Sequence, residues 1–178
     1  LLLASVTPRK NQLAILRALA ALTELDWQAL LVGPDAADPD YAQRVRLFAE
    51  AAFPPGRVQV LGSRTGPGLE RIWSASDLLL LVSRAETFGM VVTEAVARGI
   101  PAIVGAGTGA EEALALGPHA PPGIAVAPDD TAALEEVLRG WLSDPAQRAA
   151  WRRSAEGARG MLPTWDDSAD LMLRILTP

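Results

Sequence analysis

The sequence predicts an α/β fold in which a parallel β-sheet carries helices on both of its faces. Short apolar runs alternate along the chain with longer amphipathic segments, which is the pattern of strands joined by crossover helices. The run Leu78–Val82 is apolar without alternation, as expected of a strand that helices cover on both faces. Apolar residues make up 49% of the 178 residues and charged residues 21%, so the chain has enough apolar surface to form a core.

Six strands and their connecting helices are predicted in strict alternation. The strands are short apolar runs bounded by turn-forming residues, at 1–6, 27–32, 57–61, 78–82, 101–104 and 123–126. The helices have apolar residues at helical spacing, at 10–24, 39–52, 68–75, 89–99, 109–116 and 130–143. Gly99 follows the fourth helix and Pro101 begins the fifth strand, and both positions tolerate these residue types.

Beyond Pro128 the pattern contains helices alone. They are expected at 130–143, at 145–159 and from 164 or 165 to 176. Thr164 is suited to cap the last of them. Because no linker or repeat divides the sequence, we expect a single domain over residues 1–178, with a core over about 1–128 and a helical tail over about 129–178.

Composition excludes several classes of function. There are no cysteines, so disulfides and thiolate metal sites are excluded, and the composition fits the cytoplasm. The net charge of -5 and the scatter of 16 Lys and Arg residues argue against a nucleic-acid groove. No apolar run approaches the ~20 residues that a membrane helix needs. Residues 1–6 resemble a strand entered midway, without an initiator Met or a basic flank, so we expect the chain to be a fragment.

The turn after the fourth predicted strand carries the most informative residues, because ligands of open parallel sheets bind beyond the carboxyl ends of the strands. Glu86 lies in this turn, and Glu94 lies inside the following helix, so both carboxylates can face one ligand. The helix begins near Gly89, and its first amides have no intrahelical partner, which suits an anion or a hydroxyl. A sugar nucleotide offers hydroxyls on its ribose and on its hexose, one ring for each carboxylate.

A purely structural alternative for the two acids stays open on spacing alone. Glu86 can complement the dipole of the helix, and Glu94 can pair with Arg98 four residues later. Against this, Glu94 shares a helical stripe with Met90 and Val91, where a merely solvated acid is not expected. The stripe favours a binding site.

The segment from Ser83 to Pro101 resembles the signature of the retaining family-4 glycosyltransferases: a Glu, seven residues, a second Glu, then Ala and a Gly-hydrophobic-Pro turn. The resemblance extends to the last helix, where Trp165-Asp166 is similar to a Trp-Asp of the family. It implies a Rossmann-like parallel sheet with helices on both faces, one half of a GT-B fold, plus a C-terminal helical tail. It also implies that this chain is the donor-binding domain and that the N-terminal acceptor domain is absent.

The resemblance assigns roles to the residues of this turn. It implies that Glu86 faces the transferred hexose as a catalytic residue and that Glu94 binds the ribose. The backbone amides expected to contact the sugar or the phosphate are those of Phe88, Gly89, Met90 and Val91. Thr87 stands where family members often have Gly, a departure expected to narrow the sugar pocket.

Two adjacent cations follow the first predicted strand. Taken alone, Arg9 and Lys10 are more often solvated than bound to phosphate. By resemblance, Lys10 matches the catalytic Lys that neutralises the departing diphosphate, whereas Ser5 stands where the family has an Arg. Arg9 is the substitute considered for that Arg. Because fixed cations aimed at developing charge lower the barrier, no metal or other cofactor is expected.

Three other loops hold candidate residues. Gly62 follows the third strand, where family members contact the nucleobase through backbone, and Arg64 lies close behind it. The glycine-rich turn after the fifth strand contains Gly109, which is predicted to bring a backbone amide to the donor, although the spacing of this turn departs from the dinucleotide fingerprint and the P-loop. His119, the only histidine, is expected to be solvated and not catalytic.

The implied reaction is transfer of a hexose from a nucleotide-sugar to an acceptor hydroxyl with retention at the anomeric carbon. The acceptor, a glycan, a lipid or a small molecule, is expected on the absent N-terminal domain, so this chain alone is expected to be poorly active. Peripheral membrane association of the full-length enzyme is a further expectation. Two alternatives stay open: one half of a nucleotide-sugar epimerase, and a non-catalytic nucleotide-sugar-binding module.

Overall fold

Six parallel strands form the centre of the structure, a computed structural model that describes residues 1–116, 120–162 and 164–177. The strands are β1 (Leu2–Leu3), β2 (Ala29–Val32), β3 (Val58–Gly62), β4 (Leu79–Leu81), β5 (Ala102–Gly105) and β6 (Gly123–Val126). Each overlaps a predicted strand. β1 itself has two residues, yet the amides of Ala4 and Val6 still donate to the carbonyls of Val32, the last residue of β2, and Pro34, so the pairing with this segment continues to Val6.

The strand order brings β1 and β4 together at the centre. β1 pairs with β2 and β2 with β3, while β4 pairs with β5 and β5 with β6, all in parallel. These two three-stranded sheets meet where the Leu1 amine donates to the Leu78 carbonyl and the Leu80 amide donates to the Leu1 carbonyl, both at 2.8 Å. The combined order is β3-β2-β1-β4-β5-β6, and we name the central contact the β1–β4 junction. Because the chain winds away in opposite directions on its two sides, a ligand is expected beyond the carboxyl ends of the strands at this junction.

Helices flank the strands within the described residues. They are α1 (Gln12–Ala20), α2 (Pro39–Ala52), α3 (Gly66–Ser74), α4 (Met90–Val96), α5 (Gly109–Leu114), α6 (Thr131–Ser143), α7 (Pro145–Arg159) and α8 (Trp165–Leu176). The largest departure from prediction is at α1, which was expected from residue 10. A 3₁₀ helix over Pro8–Lys10 precedes it instead, and Asn11 between the two has a φ of 60°. A residue in this left-handed conformation cannot continue a right-handed helix, so it separates the two.

Two apolar layers enclose the sheet. One layer packs α1, α2 and α6 against Leu80 and Val82, and the other packs α3, α4 and α5 against Leu79 and Leu81. All four of these residues are buried, because successive side chains of a strand point to opposite faces and both faces are covered. The predicted α/β class, with helices on both faces of the sheet, is confirmed.

The three helices after β6 differ in how deeply they pack. α6 belongs to the core, since Leu134, Leu138 and Trp141 are buried against α1. α7 packs on α6 through a stack of Trp151 on Trp141, with ring centroids 5.4 Å apart. α8 begins with the predicted cap, Thr164, yet five of its large apolar side chains are exposed. These exposed side chains are Leu171, Met172, Leu173, Ile175 and Leu176. None of the helices described is long and apolar enough to cross a bilayer.

Candidate functional site

A cleft of about 720 Å³ lies beyond the carboxyl ends of the strands at the β1–β4 junction. Its size falls within the range of small-molecule sites. The turns after β1, β2, β3 and β4 and the first half of α4 form its walls. The predicted site residues that line it are Lys10, Glu86, Phe88, Gly89, Met90, Val91 and Glu94.

Lys10 and Glu86 meet across the β1–β4 junction. Lys10 lies in the turn after β1 (residues 7–11, the cation turn), and Glu86 lies in the turn after β4 (residues 82–86, the acid turn). The Lys10 ammonium donates to a Glu86 carboxylate oxygen, and the two side chains are only 13% and 8% exposed. Glu86 therefore has a specific cationic partner. Such a partner is not needed if Glu86 only complements the dipole of the following helix, which was the structural alternative. Since both side chains are largely removed from water, removing either one would leave the other as a mostly buried group without its ionic partner.

Three further hydrogen bonds join the cation turn to the acid turn. They run from the Arg84 amide to the Arg9 carbonyl at 2.9 Å, from the Arg9 guanidinium to the Ala85 carbonyl at 3.1 Å, and from the Asn11 side-chain amide to the Val82 carbonyl at 3.2 Å. The guanidinium of Arg9 is thus directed to the backbone of the acid turn and does not line the cleft. The structure does not bring Arg9 to the place where a substitute for the family's Arg would act.

Glu94 lies on the exposed side of α4 and lines the cleft. The alternative pairing with Arg98 is not formed between the side chains. Arg98 donates to the backbone carbonyl of Glu94 at 3.0 Å, pairs with the Glu70 carboxylate at 2.8 Å and stacks over the Trp73 ring at 4.9 Å. Because Arg98 is engaged elsewhere, the Glu94 carboxylate is available to a ligand in the cleft.

The first turn of α4 presents backbone and apolar groups to the cleft. Gly89 caps the helix with a φ of 77°, and a Cβ at this position would also lie 3.1 Å from the Ala110 side chain, so glycine fits here for two reasons. The amides of Met90 and Val91 lie in the first turn of the helix, where no carbonyl of the helix can accept from them, so they are available to a ligand. The side chains of Phe88 and Met90 are exposed at the lip of the cleft.

Gly109 lies outside the cleft, contrary to its predicted role. Its amide donates to the Glu86 carbonyl at 3.0 Å, and is therefore not free for a phosphate. A Cβ at Gly109 would lie 2.0 Å from the Thr87 carbonyl oxygen. The glycine is needed because the start of α5 packs closely against the backbone of Glu86 and Thr87. This contact lies outside the cleft.

Gly62 does not line the cleft, although it was predicted to bind the donor. Gly62 ends β3, and its carbonyl accepts a hydrogen bond from the Gly33 amide at 3.1 Å, while Ser63, Arg64 and Thr65 line the cleft. Sequence reasoning also missed the turn after β2, where Gly33 and Pro34 form part of the wall. A Gly-Pro pair directly after an apolar strand was the available signal. His119 lies outside the described residues.

The charges that line the cleft are balanced. They belong to two cations, Lys10 and Arg64, and two carboxylates, Glu86 and Glu94. An anionic ligand therefore meets no excess of positive charge, and its binding depends on where individual groups lie.

A second cavity, of about 420 Å³, lies at the opposite end of the strands beside Leu1 and Trp27. It contains none of the predicted site residues. Three of its charged side chains are engaged with the protein, since Arg152 pairs with Asp77, and Arg148 donates to backbone carbonyls near the end of α6. The carboxyl-end cleft is the better candidate, because it gathers available polar groups.

The sequence matches a known family over most of its length. The family model described as glycosyl transferases group 1 matches residues 1–158. The D-inositol 3-phosphate glycosyltransferase 1 of Catenulispora acidiphila is 33% identical over 172 residues, covering 90% of this chain and 39% of the relative. The chain thus spans about two fifths of the length of this curated relative.

Solved structures share the fold. The Anabaena protein Alr3699/HepE, in complex with UDP and glucose, superposes with a TM-score of 0.83 at 23% identity, over 99% of this chain and 47% of that chain. The C-terminal domain of LpcC, a group 1 glycosyl transferase from Francisella tularensis, has a TM-score of 0.72 at 18% identity, over 90% of this chain and 82% of that chain. These likenesses confirm the predicted Rossmann-like half of a GT-B fold.

Proposed function

This chain belongs to the glycosyl transferases group 1 family, and from this membership we propose that it is the donor-binding half of a hexosyltransferase. In this proposal a nucleotide-sugar binds in the cleft at the β1–β4 junction. The observation that carries the proposal is that Glu86 and Glu94 line one cleft together with Lys10. The complex of the fold relative HepE with UDP and glucose supports the same ligand class.

Each polar group of the cleft receives one part of the donor. The Glu94 carboxylate, which Arg98 leaves available, accepts hydrogen bonds from the ribose hydroxyls. The Lys10 ammonium and the amides of Met90 and Val91 bind the diphosphate. Glu86 faces the hexose, and Thr87 beside it narrows the space for the sugar.

The proposed reaction breaks the bond between the anomeric carbon and the diphosphate oxygen and joins that carbon to the acceptor oxygen with retention. Negative charge develops on the departing diphosphate as its bond breaks, and this diphosphate accepts the proton that the acceptor hydroxyl loses. Lys10 stabilises this charge where it forms. Because Lys10 and the backbone amides serve this purpose, we propose that the reaction needs no metal ion.

We further propose that the acceptor binds to a second domain that is not part of this chain. The coverage of 39% of the Catenulispora relative supports this, as do the exposed apolar side chains of Phe88 and Met90 at the lip of the cleft. The isolated chain should then bind a nucleotide-sugar weakly and transfer little sugar. A cytoplasmic location and peripheral association of the full-length enzyme with a membrane belong to the same proposal.

Titration of the chain with UDP, GDP, ADP and dTDP, with and without EDTA, tests the donor site. At least one diphosphate should bind, and EDTA should leave its Kd unchanged. Glu94→Ala should weaken that binding about tenfold, since a hydrogen bond to a charged group contributes about 1.5 kcal/mol or more. The matched control is Glu136→Ala, which removes the same charge from an exposed position of α6.

The ribose assignment has its own test. With a 2′,3′-dideoxy analogue of the bound diphosphate, Glu94→Ala should have no further effect, because the hydroxyls that the carboxylate accepts from are already absent. An equal loss with both ligands would remove Glu94 from the ribose.

The alternatives are outcomes of one assay on the full-length protein. Sugar transfer to an acceptor supports the transferase. A changed sugar without acceptor would indicate an epimerase, and binding without release of free diphosphate would indicate a non-catalytic module. The direction of Arg9 away from the cleft is the observation that keeps the module in consideration.

A further inference from the structure

Asn11 is buried beside the carboxyl end of β4, with 4% of its surface exposed. It has a φ of 60°, the only positive φ outside glycine in the part of the chain that the structure describes. Asn is among the residue types that adopt this conformation at low cost. A polar side chain buried in this way needs partners for its donors.

Both side-chain hydrogens of Asn11 have such partners. The amide nitrogen donates to the Val82 carbonyl at 3.2 Å and to the Pro128 carbonyl at 2.7 Å. One residue therefore fastens the cation turn to the end of β4 and to the loop after β6. Asn11 does not line the cleft, so we expect no direct contact between it and a ligand bound there.

Besides the ion pair of Lys10 with Glu86, the contact that most restrains Lys10 is the tie made by Asn11, the next residue. Of the other contacts between the cation turn and the acid turn, the side-chain bond of Arg9 is exposed and so is weakened by competition with water. The bond from the Arg84 amide to the Arg9 carbonyl is made by backbone alone, and tolerates a range of Lys10 positions. The Asn11 tie is largely buried, and it holds Asn11, the residue directly after Lys10, at its φ of 60°.

We propose that Asn11 is a positioning residue that holds the Lys10 ammonium where the diphosphate of the donor binds. The inference rests on the proposed function of the cleft. The inference adds that the buried side-chain amide of Asn11, outside the binding site, determines the strength of the Lys10–phosphate contact. A residue that acts in this way affects the terminal phosphate of the ligand and leaves the nucleoside contacts unchanged.

The experiment compares a nucleoside diphosphate with its monophosphate. The probe is whichever of UDP, GDP, ADP and dTDP binds the wild-type chain most tightly, and the measured quantity is the ratio of the Kd of the monophosphate to that of the diphosphate. Asn11→Gly removes both side-chain hydrogen bonds and retains a residue suited to a φ of 60°. It should lower the ratio about three- to tenfold, a loss of about 0.7–1.4 kcal/mol.

The same measurement in a Lys10→Met background separates positioning from general damage. Lys10→Met should lower the ratio by itself, and Asn11→Gly should then lower it no further, since the group that Asn11 positions is gone. Tyr41→Phe is the matched control. It removes a buried side-chain hydrogen bond, 3.1 Å long, from the Leu13 amide in the first turn of α1, and should leave the ratio unchanged.

The outcomes decide separately on the inference and on the function. If no diphosphate binds the wild-type chain, the proposed function fails and the inference fails with it. If a diphosphate binds, a ratio for Asn11→Gly within about twofold of wild type, or an equal drop in the Lys10→Met background, overturns the positioning role alone. Should Asn11→Gly fail to fold by its melting transition, Asn11→Ser, which keeps one donor, decides by the same ratio.

Discussion

Replacing Glu86 by Gln should tighten the binding of a nucleoside diphosphate, even though Glu86 is proposed to serve the transfer reaction. Lys10 is paired with Glu86 in the cleft, and both side chains are mostly buried. An entering diphosphate must share Lys10 with this carboxylate and must also approach its negative charge. Gln retains the shape of Glu and removes the charge, so the variant frees Lys10 for the ligand.

The size of the effect follows from the position of the charge. If a phosphate charge binds about 8 Å from the Glu86 carboxylate, at an effective dielectric constant of about 40, the repulsion between them is about 1 kcal/mol. A diphosphate carries more than one charge, so the gain on removing the carboxylate should be about 1–2 kcal/mol, or about five- to thirtyfold in Kd.

Calorimetric titration of UDP, or of whichever diphosphate binds best, measures the effect. Glu86→Gln should lower the Kd, Glu94→Gln should raise it, and Glu136→Gln, an exposed change on α6, should leave it unchanged. In the full-length protein, Glu86→Gln should bind the diphosphate more tightly and transfer sugar more slowly. Weaker binding of the diphosphate by Glu86→Gln would refute the reasoning, because it would mean that the carboxylate supports the diphosphate and does not compete with it.

Two further predictions concern stability. Gly109→Ala should lower the free energy of unfolding by about 2 kcal/mol, because the added methyl would lie 2.0 Å from the Thr87 carbonyl oxygen. The control is Gly160→Ala, where the added methyl meets nothing within 4 Å. Equal denaturation midpoints for the two variants would contradict the packing account. Desolvation raises the pKa of Tyr41 above its usual 10.0, so the folded state keeps the phenol proton where the unfolded chain releases it, and stability should fall as the pH rises through and above about 10. Tyr41→Phe should show a shallower fall in denaturant titrations between about pH 9 and 11, whereas equal slopes for both proteins would count against burial as the cause.

The parts of the fold that were predicted are those with local causes. The apolar run Leu78–Val82 could be identified as a central strand because both faces of such a strand are buried, and all its residues are. Thr164 was identified as a cap because its hydroxyl can accept from the third amide of the helix, and the structure contains that bond. The positions of Glu86 in a turn and Glu94 in the helix that follows it predicted that both acids lie near one end of the sheet, and both line the cleft.

The remaining features depend on contacts between distant segments. Lys10 and Glu86 are 76 residues apart, and their pairing follows from the order of the strands. Arg9 is adjacent to Lys10 in the sequence, but its side chain donates to the backbone of the acid turn and does not line the cleft. Sequence spacing alone does not reveal this difference in direction. The packing of Gly109 against the Glu86 turn likewise required knowing which loops are neighbours at the edge of the sheet.

The β1–β4 junction also couples nucleotide binding at the proposed site to the packing of the two sheets against each other. The two sheets are joined strand to strand through the hydrogen bonds of Leu1, and the cleft takes Lys10 from one sheet and Glu86 and Glu94 from the other. Neither half of the chain has a complete cleft. A substitution that loosens the docking of the halves should therefore weaken nucleotide binding even when it lies far from the cleft. By the same linkage, a nucleotide bound at the proposed site should bridge the halves and slow the hydrogen exchange of the junction amides as its occupancy rises.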